Sequence, residues 1–327
     1  GEMQKMMGVY RSLADLSKKS GRPVTFGSLS RKKYPGQWKA LYDIIEEENQ
    51  LGARMWTQVH SREINSILSF QTATPFDNWD VWRDFRKLPL DEQLGKLKSD
   101  ASLKQKLIDI ADRPYDGPEI VGAEARPPEW DMFYHMDKIR LPHPSIAQIG
   151  KERGITPAAA MIEVAIEDDL KAFFRQPLAN ENQDDALALM KHPRSNVTFS
   201  DSGAHVSQIM DSSLQTHLLS HWVREREALT LEEAVRMITY DTATNWGFHD
   251  RGLLREGMTA DITVFDADKV EPCMPTVEND LPSGSKRLKQ YADGMLATVV
   301  AGQTVLKEKK HTGALPGQLL RGPLARQ

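Results

Sequence analysis

Apolar residues at Met6, Met7, Tyr10, Leu13, Ala14 and Leu16 recur at helical spacing, and Lys18-Lys19-Ser20-Gly21 supplies a basic last turn and a glycine stop. Pro23-Val24-Thr25-Phe26 then reads as a short buried strand. The pattern repeats once. Trp38, Leu41, Tyr42, Ile44 and Ile45 mark a second helix ended by Leu51-Gly52, and residues 53–59 form a second strand. Two strands, each fed by a helix, predict a parallel sheet or barrel. The first helix is already under way at Gly1-Glu2-Met3, the pattern of a chain that starts within a domain.

From Ser61 to about Asn182 no strand signal is legible, and helical pieces alternate with Pro-rich stretches such as Arg113-Pro114-Tyr115-Asp116-Gly117-Pro118. More than a hundred residues is too long for an ordinary connection, so a helical insertion carrying a lid or substrate surface is expected. Within it, residues 145–164 resemble a helix-turn-helix, but Glu163, Glu167, Asp168 and Asp169 on its second helix would repel phosphates. A plain helical hairpin is the expectation.

The α/β rhythm resumes with a helix from Gln183 and a strand at Asn196-Val197-Thr198-Phe199-Ser200-Asp201, followed by Gly203, Ala204 and His205. Parallel α/β folds put their chemistry at the carboxyl ends of strands, which makes Asp201 a candidate catalytic residue; the alternative is a turn aspartate. A helix over 212–227 follows, with His217 and His221 one turn apart; they are read as helix surface, since no third metal ligand accompanies them. Thr230-Leu231-Glu232-Glu233 is a capping box. Beyond residue 255 the chain turns into short strands, with 297–300 and 303–306 forming a hairpin.

Composition narrows the function. The 327 residues carry 42 Lys+Arg against 46 Asp+Glu, a formal charge of -4, and 40% hydrophobic residues. This balance offers no global attraction for nucleic acid, so a small polar or anionic ligand is favoured. No apolar run approaches the roughly 20 residues of a membrane span. The single Cys273 forms no intrachain disulfide and suits a reducing cytoplasm.

Three segments carry a resemblance: residues 200–206 (Ser-Asp-Ser-Gly-Ala-His-Val), 229–239 (Leu-Thr-Leu-Glu-Glu-Ala-Val-Arg-Met-Ile-Thr) and 250–266, from Asp250-Arg251-Gly252 to Val264-Phe265-Asp266. They resemble the carboxyl-terminal part of the amidohydrolase superfamily, in its N-acyl-D-amino-acid deacylase (D-aminoacylase) branch. The resemblance is dense over 196–323, looser over 9–60, and in the insertion a matter of layout.

The resemblance implies a metal-dependent (β/α)8 TIM barrel with a small β-sandwich. It divides the chain into barrel elements over 1–60, a helical insertion over 61–182, the last barrel strand and helices over 183–254, and sandwich and tail over 255–327. In such enzymes a zinc-activated hydroxide attacks the amide, and Asp201 stands where the family's general acid/base lies. Arg62 is the expected clamp for a substrate carboxylate. Gln58, His60, Ser202 and His205 complete the substrate-binding set, and Asp201 and His60 are the two candidate metal contacts.

The sequence departs from the family pattern. None of its nine histidines forms the His-x-His pair that opens the family's metal site, and no histidine stands near Gly27-Ser28. The principal zinc ligands are therefore expected in a segment preceding Gly1, with self-association of the unclosed barrel as a corollary. The competing expectation is a metal-free scaffold or association module. A serine protease, evoked by Asp201-Ser202-Gly203, does not fit a helix-rich α/β pattern lacking Gly-x-Ser-x-Gly.

Overall fold

A computed structural model describes residues 2–115, 122–200 and 211–320. It opens with α1 (Glu2–Ser20), β1 (Val24–Gly27), α2 (Gln37–Gln50) and β2 (Met55–Val59), as the periodicity predicts. α2 forms because Trp38, Leu41, Tyr42 and Ile45 place apolar groups on one side. Gly36 enters it at φ 74°, a conformation costly for other residues. In β2 the buried Met55, Thr57 and Val59 alternate with half-buried Trp56 and Gln58. Met55 and Val59 share a core with Trp38, Leu41 and Ile45, so the helices cover that face of the strand.

There follow β3 (Ile64–Leu68), α3 (Asp80–Arg86), α4 (Leu90–Ser99), α5 (Ala101–Ala111), β4 (Tyr134–Met136), α6 (Ile146–Arg153), α7 (Pro157–Glu167), β5 (Phe173–Ala179) and α8 (Gln183–Lys191). β6 (Ser195–Val197) then joins a parallel sheet in the order β1-β2-β6. β6 is shorter than the strand expected over 196–201, although Phe199 N still donates to Val59 O at 3.2 Å.

The stretch between β2 and α8 is not strandless, which corrects the sequence expectation. β3, β5 and β4 form an antiparallel sheet in the order β3-β5-β4. Neither long strand alternates: β3 is buried throughout, and β5 carries Arg175, Gln176 and Pro177. Pro177 is tolerated because β4 pairs only with Phe173–Arg175, leaving one side of β5 unladdered at the proline. This part has its own core, in which Trp82, Phe76, Phe133, Ile146, Met161 and Phe174 are buried. α6 and α7 form the expected helical hairpin, capped by Ser145 and Thr156, with Gly154 left-handed between them. The carboxylate of Glu167 pairs with Arg153.

After β6 a 3-10 turn (Asp211–Ser213) leads into α9 (Leu214–His217), which widens into a π-helix over Leu218–Glu225. The capping box opens α10 (Leu231–Arg236): Glu233 N donates to Thr230 Oγ1 at 3.1 Å and Thr230 N to Glu233 Oε2 at 2.8 Å. A second π turn (Met237–Asp241) and α11 (Thr242–Asn245) follow. The chain ends in β7 (Ile262–Phe265), β8 (Glu271–Pro272), β9 (Thr276–Glu278), β10 (Arg287–Lys289), β11 (Ala292–Asp293), β12 (Met295–Val300), β13 (Gln303–Lys307) and β14 (Lys310–His311). The expected hairpin is β12–β13, turning at Ala301 and Gly302 with φ 46° and 79°. It lies in an antiparallel sheet ordered β14-β13-β12-β7. No helix among the described residues is long and apolar enough to cross a membrane.

Trp222 locks the helix to the sheet, since its ring is fully buried and Nε1 donates to Ser61 O at 2.5 Å. Trp222→Ala is expected to cost about 3–5 kcal/mol. Trp222→Phe, which keeps a ring but orphans the carbonyl, should cost about 1–3 kcal/mol. Chemical denaturation reads both; a Phe variant as stable as wild type would show that the hydrogen bond contributes nothing.

Candidate functional site

The chain leaving β2 passes at once through three fully or nearly buried polar residues, His60, Ser61 and Arg62. Buried backbone without a ladder must be satisfied elsewhere. Ser61 Oγ donates to Leu214 O at 2.7 Å, Trp222 Nε1 caps Ser61 O, and Asn180 Nδ2 donates to Arg62 O at 3.3 Å. The backbone N–H of Arg62 donates to His60 Nδ1 at 3.0 Å. In the neutral ring this makes Nδ1 the acceptor and leaves the proton on Nε2. His60 is thus no loose loop histidine; it is held by the turn it follows.

Arg62 Nη1 donates to Ser213 Oγ at 2.8 Å. Its guanidinium lines a pocket with Glu63, Asn65, Arg175 and His217. Gln58, one residue inside β2, accepts from Thr198 Oγ1 at 3.4 Å. The pairing of β6 with β2 brings Thr198 and Phe199 alongside the end of β2, so the chain reaches Ser200 at the same end of the sheet as His60 and Arg62. Asp201, Ser202 and His205 lie outside the described residues.

The pocket holds residues that the sequence reading did not single out. Arg175, 4% exposed, ion-pairs with Glu63, and its Nε donates to His143 Nδ1 at 2.8 Å. Its guanidinium also sits 4.2 Å from the Tyr134 ring centroid. Burial pushes the Glu63 carboxyl above its ordinary value, opposed by the charges of Arg175 and Arg62. His143 is drawn down to about 4 by burial and by the charge of Arg175, although its Nε2 contact with Lys138 O, at 2.8 Å, pulls the other way. An arginine inside the apolar run Phe173-Phe174-Arg175 was the available signal, because buried charge demands a partner.

The reading of His217 and His221 as helix surface is corrected. His221 is 7% exposed, and the His217 ring is enclosed against it, stacked with centroids 4.8 Å apart and planes at 17°. Burial holds both imidazoles below their ordinary pKa, His217 far below, with the Arg62 charge lowering both further. The helical period shows that two histidines share a face; it does not show what that face packs against.

Zinc, implied by the resemblance, finds no fitting site among the described residues. They contain no group of three or more His, Cys, Asp or Glu side chains placed to hold a metal. His60, in the tautomer set by Arg62 N–H, presents a proton on Nε2 where a metal needs a lone pair.

Comparison with known proteins agrees with the motifs. Residues 151–306 match the amidohydrolase family. Over 167 residues, 51% of this chain and 28% of the relative, the chain is 29% identical to N-acyl-D-aspartate deacylase of Alcaligenes xylosoxydans xylosoxydans. Over 55 residues, 17% of this chain and 11% of the relative, it is 51% identical to N-acyl-D-glutamate deacylase of the same organism. The chain is similar to the amidohydrolases and, among them, to N-acyl-D-amino-acid deacylases. Those relatives are hydrolases of amide bonds. In fold, this amidohydrolase relative resembles the N-acyl-D-glutamate deacylase of Bordetella bronchiseptica, solved with zinc and a phosphonate inhibitor that mimics the tetrahedral intermediate. The TM-score is 0.50 at 17% identity, covering 95% of this chain and 52% of that one. The chain therefore spans about half the length of that solved structure and less of the curated relatives.

The buried histidines set a pH dependence of stability. A folded-state pKa of about 4 for His143 lies below the roughly 6.5 of an unfolded histidine, so the unfolded chain binds more protons between these values. Its contribution is complete above about pH 6.5 and is lost as pH falls toward 4. From pH 7 to 5 wild type should lose about 2 kcal/mol more than His143→Gln. Urea titrations at the two pH values check this, and equal losses would place His143 in a solvated state.

Proposed function

We propose that the protein works in the hydrolysis of N-acyl-D-amino acids, releasing a carboxylic acid and a free amino acid. The observation carrying this reading is the placement of Arg62: a buried guanidinium at the carboxyl end of a parallel strand, lining a pocket with a second arginine. Carboxyl ends of parallel strands are where such folds bind ligands. A guanidinium grips a carboxylate by two parallel N–H donors, and an N-acyl amino acid presents that carboxylate beside its amide.

In this reading β1, β2 and β6 are consecutive strands of a (β/α)8 barrel, and the strands after residue 261 belong to a small β-sandwich. The divisions at residues 60, 182 and 254 separate barrel, insertion, last barrel elements and sandwich. Asp201 follows Ser200 out of β6 and acts as the proton carrier, taking a proton from the attacking water and giving it to the leaving nitrogen as the C–N bond breaks. Gln58, His60, Ser202 and His205 surround the substrate. The zinc with which the Bordetella bronchiseptica relative was solved would, when bound, polarise the amide carbonyl and activate the attacking water.

Two variants test the roles, with amino-acid release from a panel of N-acyl-D-amino acids as the assay. Asp201→Asn should leave the fold intact by circular dichroism while lowering kcat by about two to four powers of ten. Near-normal turnover would remove Asp201 from the chemistry. Arg62→Lys should raise KM for the N-acyl amino acid more than for its amide analogue, because lysine lacks the paired donors. Equal effects on the two substrates would give Arg62 a structural role. No release from any substrate in the presence of added zinc would favour the scaffold reading.

A further inference from the structure

Two neighbouring residues after β2 meet two neighbouring residues at the start of α9. Ser61 Oγ donates to Leu214 O at 2.7 Å, and Arg62 Nη1 donates to Ser213 Oγ at 2.8 Å. A guanidinium has donors only, so the serine oxygen is the acceptor. Ser213 is 3% exposed and Leu214 1%, and Thr216 Oγ1 donates to Ser213 O at 3.2 Å. The serine is thus fixed in place by its surroundings. It stands at the N-cap of α9, where a serine hydroxyl ordinarily accepts from the first backbone N–H groups of the helix. Here it makes no capping bond. The hydroxyl is turned to Arg62 instead.

The backbone end of Arg62 is held separately, by Asn180 Nδ2 on its carbonyl oxygen. Arg62 is therefore held at the main chain by one element and at the guanidinium by another. The partner at the guanidinium is neutral, and this distinguishes it from the partner of Arg175, which is the carboxylate of Glu63. A serine oxygen fixes the direction of Nη1 without placing a negative charge on it. An arginine side chain gives up much rotamer freedom when it grips a ligand, and a partner that orders it beforehand removes that loss from the binding step.

We propose that Ser213 is a positioning residue, which holds the Arg62 guanidinium in the orientation that meets a substrate carboxylate before the substrate arrives. The proposal rests on the reading of Arg62 as the carboxylate clamp. Because Ser213 acts through Arg62, it bears on the grip of the carboxylate and leaves the breaking of the amide bond alone.

Ser213→Ala removes the acceptor and little volume. It should raise KM for an N-acyl-D-amino acid by about two- to tenfold. Both kcat and the KM of the amide analogue should stay close to wild type. In an Arg62→Lys background the same substitution should change KM no further, since the two residues act as one unit. Nitrogen-15 relaxation of the Arg62 Nε–Hε group, its signal assigned by its loss in Arg62→Lys, reads the positioning without any need for activity. The order parameter should fall in Ser213→Ala. Circular dichroism and thermal melts confirm that each variant is folded. The proposal is overturned, with the clamp left standing, if Ser213→Ala keeps the wild-type preference for the carboxylate substrate while Arg62→Lys loses it. An Nε–Hε group as rigid in Ser213→Ala as in wild type overturns it whatever the assay shows. Equal effects of Arg62→Lys on both substrates, or no hydrolysis at all, would instead remove the clamp and this proposal with it.

Discussion

The buried backbone of residues 60–62 is the constraint on which the site depends. A chain leaving a parallel strand normally runs into solvent, where water satisfies its polar groups. Here it runs into the interior, and Ser61 alone must place a hydroxyl and a carbonyl in contact with protein. Leu214 O and Trp222 Nε1 meet those needs from one helix, and Asn180 meets that of Arg62 O from the end of β5. Two elements distant in sequence are thereby fixed to one turn. Arg62 and His60 acquire defined positions because their own backbone has nowhere else to go.

The charges follow from that placement. Two guanidiniums, Arg62 and Arg175, line a pocket in which Glu63 is the one carboxylate among the lining residues and His217 is neutral. In the proposed function these guanidiniums are the forked donors that a substrate carboxylate would meet. The Arg175–Glu63 pair itself is better understood as a clamp between β3 and β5 than as a source of stability, since its desolvation offsets much of its attraction.

What the sequence made legible was the part built on periodicity. α2 and β2 were readable because Trp38 to Ile45 repeat at the helical period and Met55 to Val59 lie on a strand covered by helices. The capping box at Thr230 and the hairpin at Ala301-Gly302 were readable because each rests on local chemistry. β3 and β5 escaped notice because sheets buried on both faces lose the alternation that marks a strand, and because Arg175 and Pro177 look foreign to one. The partners of Arg175 lie 112 and 32 residues away, at Glu63 and His143, a distance no local pattern spans.

Ser213, His217, His221 and Glu225, every fourth residue along the helix that follows the 3-10 turn, show how local geometry extends beyond both periodicity and burial. In an α-helix, four residues overshoot the 3.6-residue turn, so an every-fourth-residue stripe drifts steadily round the axis. A π turn, closed by bonds to the fifth residue, is wider, and four residues fall short of it. The helix here begins as α over Leu214–His217 and widens over Leu218–Glu225, so the drift of the first interval is reversed in the next two. Ser213, His217, His221 and Glu225 can therefore stay in register, with the two imidazoles stacked instead of splayed. A regular α-helix with the same sequence would turn Glu225 away from the face that holds Arg62. The widened helix thus keeps the residue that anchors Arg62 and the residue that orients His221 on one face.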